Sequence, residues 1–97
     1  MVNINGIEWG YHLVAPFHPI LERANRQYSL GCCDNLTHDI YINSEISYEL
    51  RKRVLCHEIV HAAMFSYGVE LTVSQEEMVA DLISRYGSEI IDISNYI

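Results

Sequence analysis

The sequence predicts an α+β domain in which an antiparallel β-sheet packs against two helices. Short apolar runs separated by turn residues fill the first half, and the apolar spacing changes to a helical period from Ser47 onward. A chain of 97 residues buries only roughly two thirds of its unfolded surface, which leaves no room for a second core. We therefore expect one domain over residues 1–97.

The first predicted strand is Ile7 to Ala15, IEWGYHLVA, which is rich in aromatic and apolar residues with partial alternation. Pro16 ends it. The next segment, residues 17–27, starts with a proline-containing turn and has the apolar spacing of a short amphipathic helix. It is too brief to decide between helix and loop.

Two further runs predict a β-hairpin. They are Tyr28 to Cys33 and His38 to Asn43, with turn chemistry at residues 34–35, Asp-Asn. In the second run Ile40 and Ile42 alternate with polar or amphipathic residues. One face of this strand is therefore expected to be buried.

The second half predicts two helices. The first runs from Ser47 to near Gly68, a residue suited to the left-handed conformation past a helix C-terminus. The second begins after Ser74 and reaches Tyr86 or beyond. Residues 94–97 are expected to form a loose end.

Charge excludes one class of partner. The net charge is −7 and there are only six lysines and arginines, three of them together at residues 51–53. Such a chain has no basic surface with which to neutralise a run of phosphates. We expect no nucleic-acid partner.

The apolar runs and the cysteines of the sequence predict the cellular compartment of the protein. Residues 1–10 have no cationic start or apolar stretch of signal length, and no later run is long enough to span a bilayer. The three cysteines are an odd number and Cys32 and Cys33 are adjacent, which argues against a disulfide framework. We expect a cytoplasmic protein without membrane contact, with the thiols acting as small buried hydrophobes.

The strongest functional signal is HEIVH at residues 57–61, within the first predicted helix. Residues four apart on a helix lie one above the other, so His57 and His61 present two imidazoles to one point. Helical histidines at this spacing bind zinc in metallopeptidases. The sequence thus predicts His57 and His61 as metal ligands.

Glu58 is predicted to be the general base. It lies about 100° round the helix from His57, which keeps it from being a third ligand on that face. It can instead reach a zinc-coordinated water, whose pKa the metal lowers toward about 7. A carboxylate within hydrogen-bond reach can take that proton and later pass it to a leaving amine.

The surroundings of the motif strengthen the prediction. In the segment VLCHEIVHAAMF, residues 54–65, the only strongly polar side chains are His57, Glu58 and His61. A helix that is apolar around most of its circumference is buried, and its polar groups must be paired or ligated. A metal supplies that compensation. The alternative is a pair of core histidines satisfied by Glu58 and by backbone carbonyls.

A catalytic zinc site has three protein ligands and an open fourth position. Glu77, on the next helix, is the predicted third ligand, and Glu76 is its main rival. Asp81 follows Glu77 by four residues and can accept a hydrogen bond from a ligand imidazole. Two other interpretations remain for Glu77: a capping box with Ser74, or a solvated polar stripe that includes Asp81.

The second half of the chain and the strands before it resemble the minimal gluzincin-type zinc peptidases. The segments that carry the resemblance are HEIVHAAMFSYG followed by EEMVADLISRYG, with the IYIN strand and the GCCDNLTHDIYI hairpin before them. The similarity is to the small ImmA/IrrE-like metallopeptidases of bacteria and phages, and it covers residues 28–91. It implies a zincin-like fold, with an antiparallel sheet packed on an HExxH helix and on a second helix that carries a glutamate ligand.

Carried over residue by residue, the resemblance implies His57, His61 and Glu77 as zinc ligands and Glu58 as the base. It implies Asp81 as the residue that supports the ligands by hydrogen bonding. The expected function is zinc-dependent hydrolysis of a peptide or protein substrate by an endopeptidase. The resemblance further suggests that the strand at residues 38–43 pairs with an extended peptide along its edge.

Two other functions remain open. The first is a binding or regulatory module on a zincin scaffold, such as a phage or prophage accessory protein, in which zinc is structural. The second is an inhibitor or regulator of another protein that uses the acidic surface as a contact patch. A closed zinc site with four protein ligands would favour the first of these. The oligomeric state is left open.

Overall fold

The chain forms four strands followed by two helices, in a computed structural model that describes residues 1–97. The strands are β1 (Val2–Ile4), β2 (Ile7–Val14), β3 (Gly31–Asp34) and β4 (Asp39–Asn43), and the helices are α1 (Tyr48–Ser66) and α2 (Val73–Tyr96). The predicted α+β class is confirmed. The undecided segment at residues 17–27 forms no α-helix; it contains a short 3-10 turn, Pro19–Leu21, whose Leu21 is buried, and Glu22 pairs with Tyr28 in an isolated β-bridge.

The sheet is mixed, in the order β1-β2-β4-β3. The prediction of an antiparallel sheet is wrong at its centre, where β2 and β4 run parallel and pair from Gly10 with Asp39 to Val14 with Asn43. The two outer pairs are antiparallel. The long connection over residues 15–38 allows this arrangement, because parallel neighbours need a crossover of a dozen residues or more. Alternation within a strand carries no information on its direction.

The strand β4 lies inside the sheet, with β2 on one side and β3 on the other. The prediction that residues 38–43 offer an edge to a peptide is therefore wrong. The free edge on this side is β3. Leu30 O accepts a hydrogen bond from Asn43 N at 2.9 Å, and bonding alternates along an antiparallel strand, so the backbone groups of Gly31 and Cys33 face away from β4.

The core lies between the sheet and α1. Trp9, Ile40, Ile42 and Ala62 form its fully buried centre. The predicted burial of Ile40 and Ile42 is thereby confirmed. The indole Nε1 of Trp9 donates a 2.9 Å hydrogen bond to Ser66 Oγ, which joins β2 to the end of α1 and satisfies two buried polar groups.

The bounds of α1 follow its capping residues. Ser47 Oγ accepts a hydrogen bond from Leu50 N at 3.2 Å, as an N-cap side chain does. Past the other end Gly68 has a φ of +66°, the left-handed conformation predicted for it. The helix that carries HEIVH therefore begins and ends where the sequence predicts.

The start of α2 differs from the prediction. Thr72 is the N-cap, and Gln75 completes a capping box with it through hydrogen bonds of 3.1 and 3.2 Å. The alternative interpretation of Glu77, a capping box with Ser74, is wrong, because the helix begins two residues earlier than predicted. The Glu77 side chain is consequently not used as a cap. The helix also continues to Tyr96, so the loose end predicted for residues 94–97 is wrong.

The two helices lie side by side and antiparallel. Ala80 is fully buried against Val60 and Met64, which brings the first half of α2 close to the middle of α1. The second half of α2 leaves large apolar side chains exposed, among them Ile90, Ile91 and Ile93. Neither helix combines the length and the apolar content that crossing a membrane requires.

Candidate metal centre

His57 and His61 lie on one face of α1, with their ring centroids 4.9 Å apart. Both side chains are mostly buried, with exposed fractions of 23% and 15%. Their Nε2 atoms point toward the start of α2. The structure thus brings the two imidazoles together as the helical spacing requires.

Glu77 lies opposite both rings. One carboxylate oxygen is 3.2 Å from His57 Nε2 and the other is 2.9 Å from His61 Nε2. Donor atoms of the three residues all lie within 4.8 Å of one another. Two imidazole nitrogens and one carboxylate oxygen are a donor set of catalytic zinc sites. The residues present therefore fit a zinc ion.

Glu76 contacts the opposite side of the His61 ring. His61 Nδ1 donates a hydrogen bond to Glu76 Oε1 at 2.5 Å, while Nε2 of the same ring faces Glu77. A carboxylate at Nδ1 holds the proton there and leaves the Nε2 lone pair for a metal. Glu76, which sequence reasoning considered only as a rival ligand, therefore occupies the position of a residue that orients a ligand.

Asp81 lies beside His57, with its Oδ1 atom 3.3 Å from Nε2. This is the nitrogen that also faces Glu77, whereas a carboxylate that fixes the tautomer would contact Nδ1. The structure thus places Asp81 on the ligand side of the ring. It reaches an imidazole, as predicted, but at the nitrogen that a metal would use.

Glu58 is buried in the wall of the site, with an exposed fraction of 7%. Its Oε1 atom lies 3.7 Å from His57 Nδ1, and its Oε2 atom is buried without a hydrogen-bond partner. Burial raises the pKa of Glu58, the charge of Glu77 adds to the rise, and the two histidines oppose it. An unpartnered buried carboxylate oxygen indicates that a further polar group or ion belongs nearby.

Gly31 allows β3 to lie against Glu58. A Cβ atom at this position would lie 2.7 Å from Val54 Cγ1 and 3.1 Å from Glu58 Cγ. Only glycine therefore lets this strand approach α1 so closely. Sequence reasoning missed this residue, and the one signal for it was a glycine inside a predicted strand.

The other histidines lie outside the site. His12 contacts Asp39 Oδ1 at 2.8 Å through Nε2, and His18 Nδ1 accepts a hydrogen bond from Ile20 N. The ring of His38 packs against both Trp9 and Phe65. None of the three joins the ligand group, in agreement with the sequence, which offers them no partner at ligand spacing.

The three cysteines are free and partly buried. Burial, with the charge of Glu58 as the next cause, raises the pKa of Cys33 to about 12. Cys33 also packs against the core, and none of the cysteines is in the ligand group. Cys33 thus packs as the small hydrophobe that the sequence predicts.

An open cleft gives solvent access to the centre. Its volume is about 830 Å³, and His57, Glu58, Glu77 and Asp81 all line it. Only three of its thirteen lining residues are hydrophobic. The arrangement can therefore hold a polar, extended ligand against His57.

Comparisons with protein-family models, with curated proteins and with solved structures found no match for this chain. The resemblance to the ImmA/IrrE-like metallopeptidases accordingly stays a prediction from motif residues.

Proposed function

We propose that this protein is a zinc-dependent peptidase that hydrolyses a peptide bond. The observation that carries the proposal is the meeting of His57 Nε2 and His61 Nε2 at the carboxylate of Glu77. If Glu77 belonged to a solvated acidic stripe, the alternative interpretation, its carboxylate would point away from α1. The buried Glu58 beside these residues supplies the remaining group that such chemistry needs.

Each residue has a distinct role. His57, His61 and Glu77 would hold the ion, and Glu76 keeps His61 in the tautomer whose Nε2 is free to bind it. Zinc, when bound, supplies a Lewis acid that polarises the substrate carbonyl and acidifies a water molecule. The substrate, a peptide or protein, lies in the cleft that His57 and Glu77 line.

Glu58 moves the proton. Its carboxylate accepts a proton from the attacking water and returns it to the leaving amine nitrogen. Burial raises the pKa of Glu58, which brings its proton affinity closer to that of the groups with which it exchanges protons near neutral pH. The side chain is ionised when it acts as base, and the neighbouring histidines favour that form.

The free edge of β3 gives the substrate a backbone to pair with. Gly31 and Cys33 turn their backbone groups outward, and Gly31 lines the cleft beside His57. An extended peptide hydrogen-bonded to this edge would lie across the ligand histidines. We therefore propose β3 for the role that the family resemblance suggested for residues 38–43.

One observation favours a second function. Asp81 Oδ1 is 3.3 Å from His57 Nε2, close enough to act as a fourth ligand after a small side-chain movement. Four protein ligands would close the site and make zinc structural, as in a binding or regulatory module. Replacing Asp81 with Asn separates the two functions: a structural site loses zinc affinity, and a catalytic site keeps its zinc.

The proposal is tested by metal analysis and peptidase assays on wild type, His61→Ala and Glu58→Gln. We expect wild type to bind one zinc and cleave peptides, His61→Ala to lose the zinc, and Glu58→Gln to keep it without activity. Circular dichroism of each variant verifies the fold. Stoichiometric zinc in His61→Ala would refute the ligand assignment, and full activity in Glu58→Gln would refute the base.

A further inference from the structure

Three of the six cationic side chains of this acidic protein line the cleft beside the candidate metal centre. They are Arg23, Arg53 and Arg85, in a chain whose net charge is −7. The site residues Glu58, Glu77 and Asp81 line the same cleft. The two positive charges of a divalent ion at the centre would offset most of the charge of those acids, which would leave the arginines as the excess charge of the cleft.

The arginines lie to one side of the histidines. Arg53 precedes His57 by four residues on α1, and Arg85 follows Asp81 by four on α2, so each shares a helix face with a site residue. The two helices are antiparallel, and Asp81 contacts His57. Arg53 and Arg85 therefore lie on the same side of that contact. Arg23 lines the cleft from the loop before β3, where its Nε donates a 2.7 Å hydrogen bond to Ser29 Oγ.

No arginine of the cleft is neutralised within the chain. Every side-chain ion pair within 4.0 Å involves a histidine, so no carboxylate lies that close to Arg23, Arg53 or Arg85. The two acids four residues from Arg85 on α2 are Asp81, which contacts His57 instead, and Glu89, which makes no ion pair. A guanidinium without a partner presents a planar fork of donors that matches a carboxylate.

We propose that Arg23, Arg53 and Arg85 form a subsite for a carboxylate of the peptide substrate. The inference rests on the proposed peptidase function and gives it a substrate class, acidic peptides. Four residues of helix separate Arg53 from His57 by about 6 Å along the axis. An extended peptide covers that distance in about two residues, so the acidic group lies one or two residues from the bond that is cut.

The first experiment scans a single Glu through an otherwise neutral peptide with blocked ends and maps the cleavage sites by mass spectrometry. We expect the cut to move in register with the Glu, and kcat/KM to exceed that of the matched Gln peptide by about tenfold. A second arm compares neutral peptides with free and amidated C-termini, which distinguishes a terminal carboxylate from a side chain. Equal cleavage of acidic and neutral peptides in both arms overturns the proposal.

The second experiment compares Arg53→Gln and Arg85→Gln with Lys52→Gln. Lys52 adjoins Arg53 in sequence, but its Nζ lies over the Tyr48 ring and it does not line the cleft, so it is a matched control for the loss of one positive charge. We expect the preference for the acidic peptide to fall in both arginine variants and to stay in the control. An equal fall in all three variants would indicate a general charge effect and overturn the subsite.

A binding measurement separates this inference from the proposed function. Zinc-loaded Glu58→Gln protein is titrated with fluorescent Glu and Gln peptides, and anisotropy is measured. Tighter binding of the Glu peptide that depends on Arg53 and Arg85 supports the subsite even where wild type cleaves nothing, a result that would refute the peptidase alone. Cleavage by wild type with equal binding of both peptides refutes the subsite alone.

Discussion

His61 is held between two adjacent glutamates, with Nδ1 donating to Glu76 at 2.5 Å and Nε2 facing Glu77 at 2.9 Å. Two consecutive residues of α2 thus contact opposite sides of the His61 imidazole. Their side chains leave the helix about 100° apart, which is what allows one to orient the ring while the other meets its free nitrogen. Glu76 and Glu77 have identical side chains, but their contacts give them different roles.

Glu76→Gln is expected to weaken zinc binding without removing it. The amide still accepts a hydrogen bond from His61 Nδ1 but lacks the charge that strengthens it, and loss of such a partner lowers metal affinity by about 10- to 100-fold. Competition with a chromophoric chelator measures the affinity. Glu89→Gln, an exposed charge further along α2, is the matched control. Equal affinity of the two variants would contradict the orienting role.

Thr72→Ala is expected to destabilise the protein by about 1 kcal/mol, because it removes the side chain that caps α2. Ser74→Ala is the matched control, since Ser74 lies inside the helix and is not the cap. Urea unfolding followed by circular dichroism gives the free energy of unfolding of both. A larger loss in Ser74→Ala would contradict Thr72 as the cap and support the alternative capping box at Ser74.

Gly31→Ala is expected to lower the free energy of unfolding by about 1–3 kcal/mol, because the added methyl group overlaps Val54 and crowds Glu58. If β3 moves away from α1 instead, the Glu58 side chain shifts and the proposed peptidase activity falls. Gly87→Ala is the control, because its nearest neighbour is the half-exposed Ile83 side chain on the same helix. Thermal unfolding measures the loss of stability, and a peptidase assay measures the loss of activity. Wild-type stability and activity in Gly31→Ala would contradict the close approach.

Asp39 is expected to contribute a small stability at neutral pH that is lost in acid. The hydrogen bond from His12 is the main cause that lowers the pKa of Asp39 from its ordinary value of 3.8. A carboxyl group with a lowered pKa stabilises the fold above pH 3.8, and this contribution disappears as the pH falls through the folded-state pKa. Wild type should therefore exceed Asp39→Asn in stability at pH 6, and the difference should shrink toward pH 3. Urea unfolding at each pH provides the check, and a constant difference would contradict it.

Local features of the fold could be predicted because they depend on near neighbours in sequence. Ser47 and Gly68 bound α1 through their own capping chemistry and backbone freedom. The alternation of Ile40 and Ile42 identified the buried face of β4. The start of α2 was misjudged because Thr72 and Ser74 are both able to cap, and only Thr72 has a Gln three residues later that completes the box in the structure.

The sheet could not be predicted to the same depth. The parallel pairing of β2 with β4 depends on where a long connection returns the chain, and the strand residues themselves do not encode it. The same pairing places β4 inside the sheet and leaves β3 as the edge beside the site. The three arginines of the cleft come together only because a loop, α1 and α2 meet there, and their separate positions along the chain do not reveal it.

By itself the sequence determined that His57 and His61 share a helix face and that Glu58 lies beside them, because the helical repeat is a property of the local backbone. The tertiary structure decided which acid meets which nitrogen. Burial of Ala80 against Val60 and Met64 sets the rotation of α2 about its axis, and that rotation turns Glu77 toward Nε2 and Glu76 toward Nδ1. Packing between elements distant in the chain depends on burying apolar surface, which no local spacing specifies.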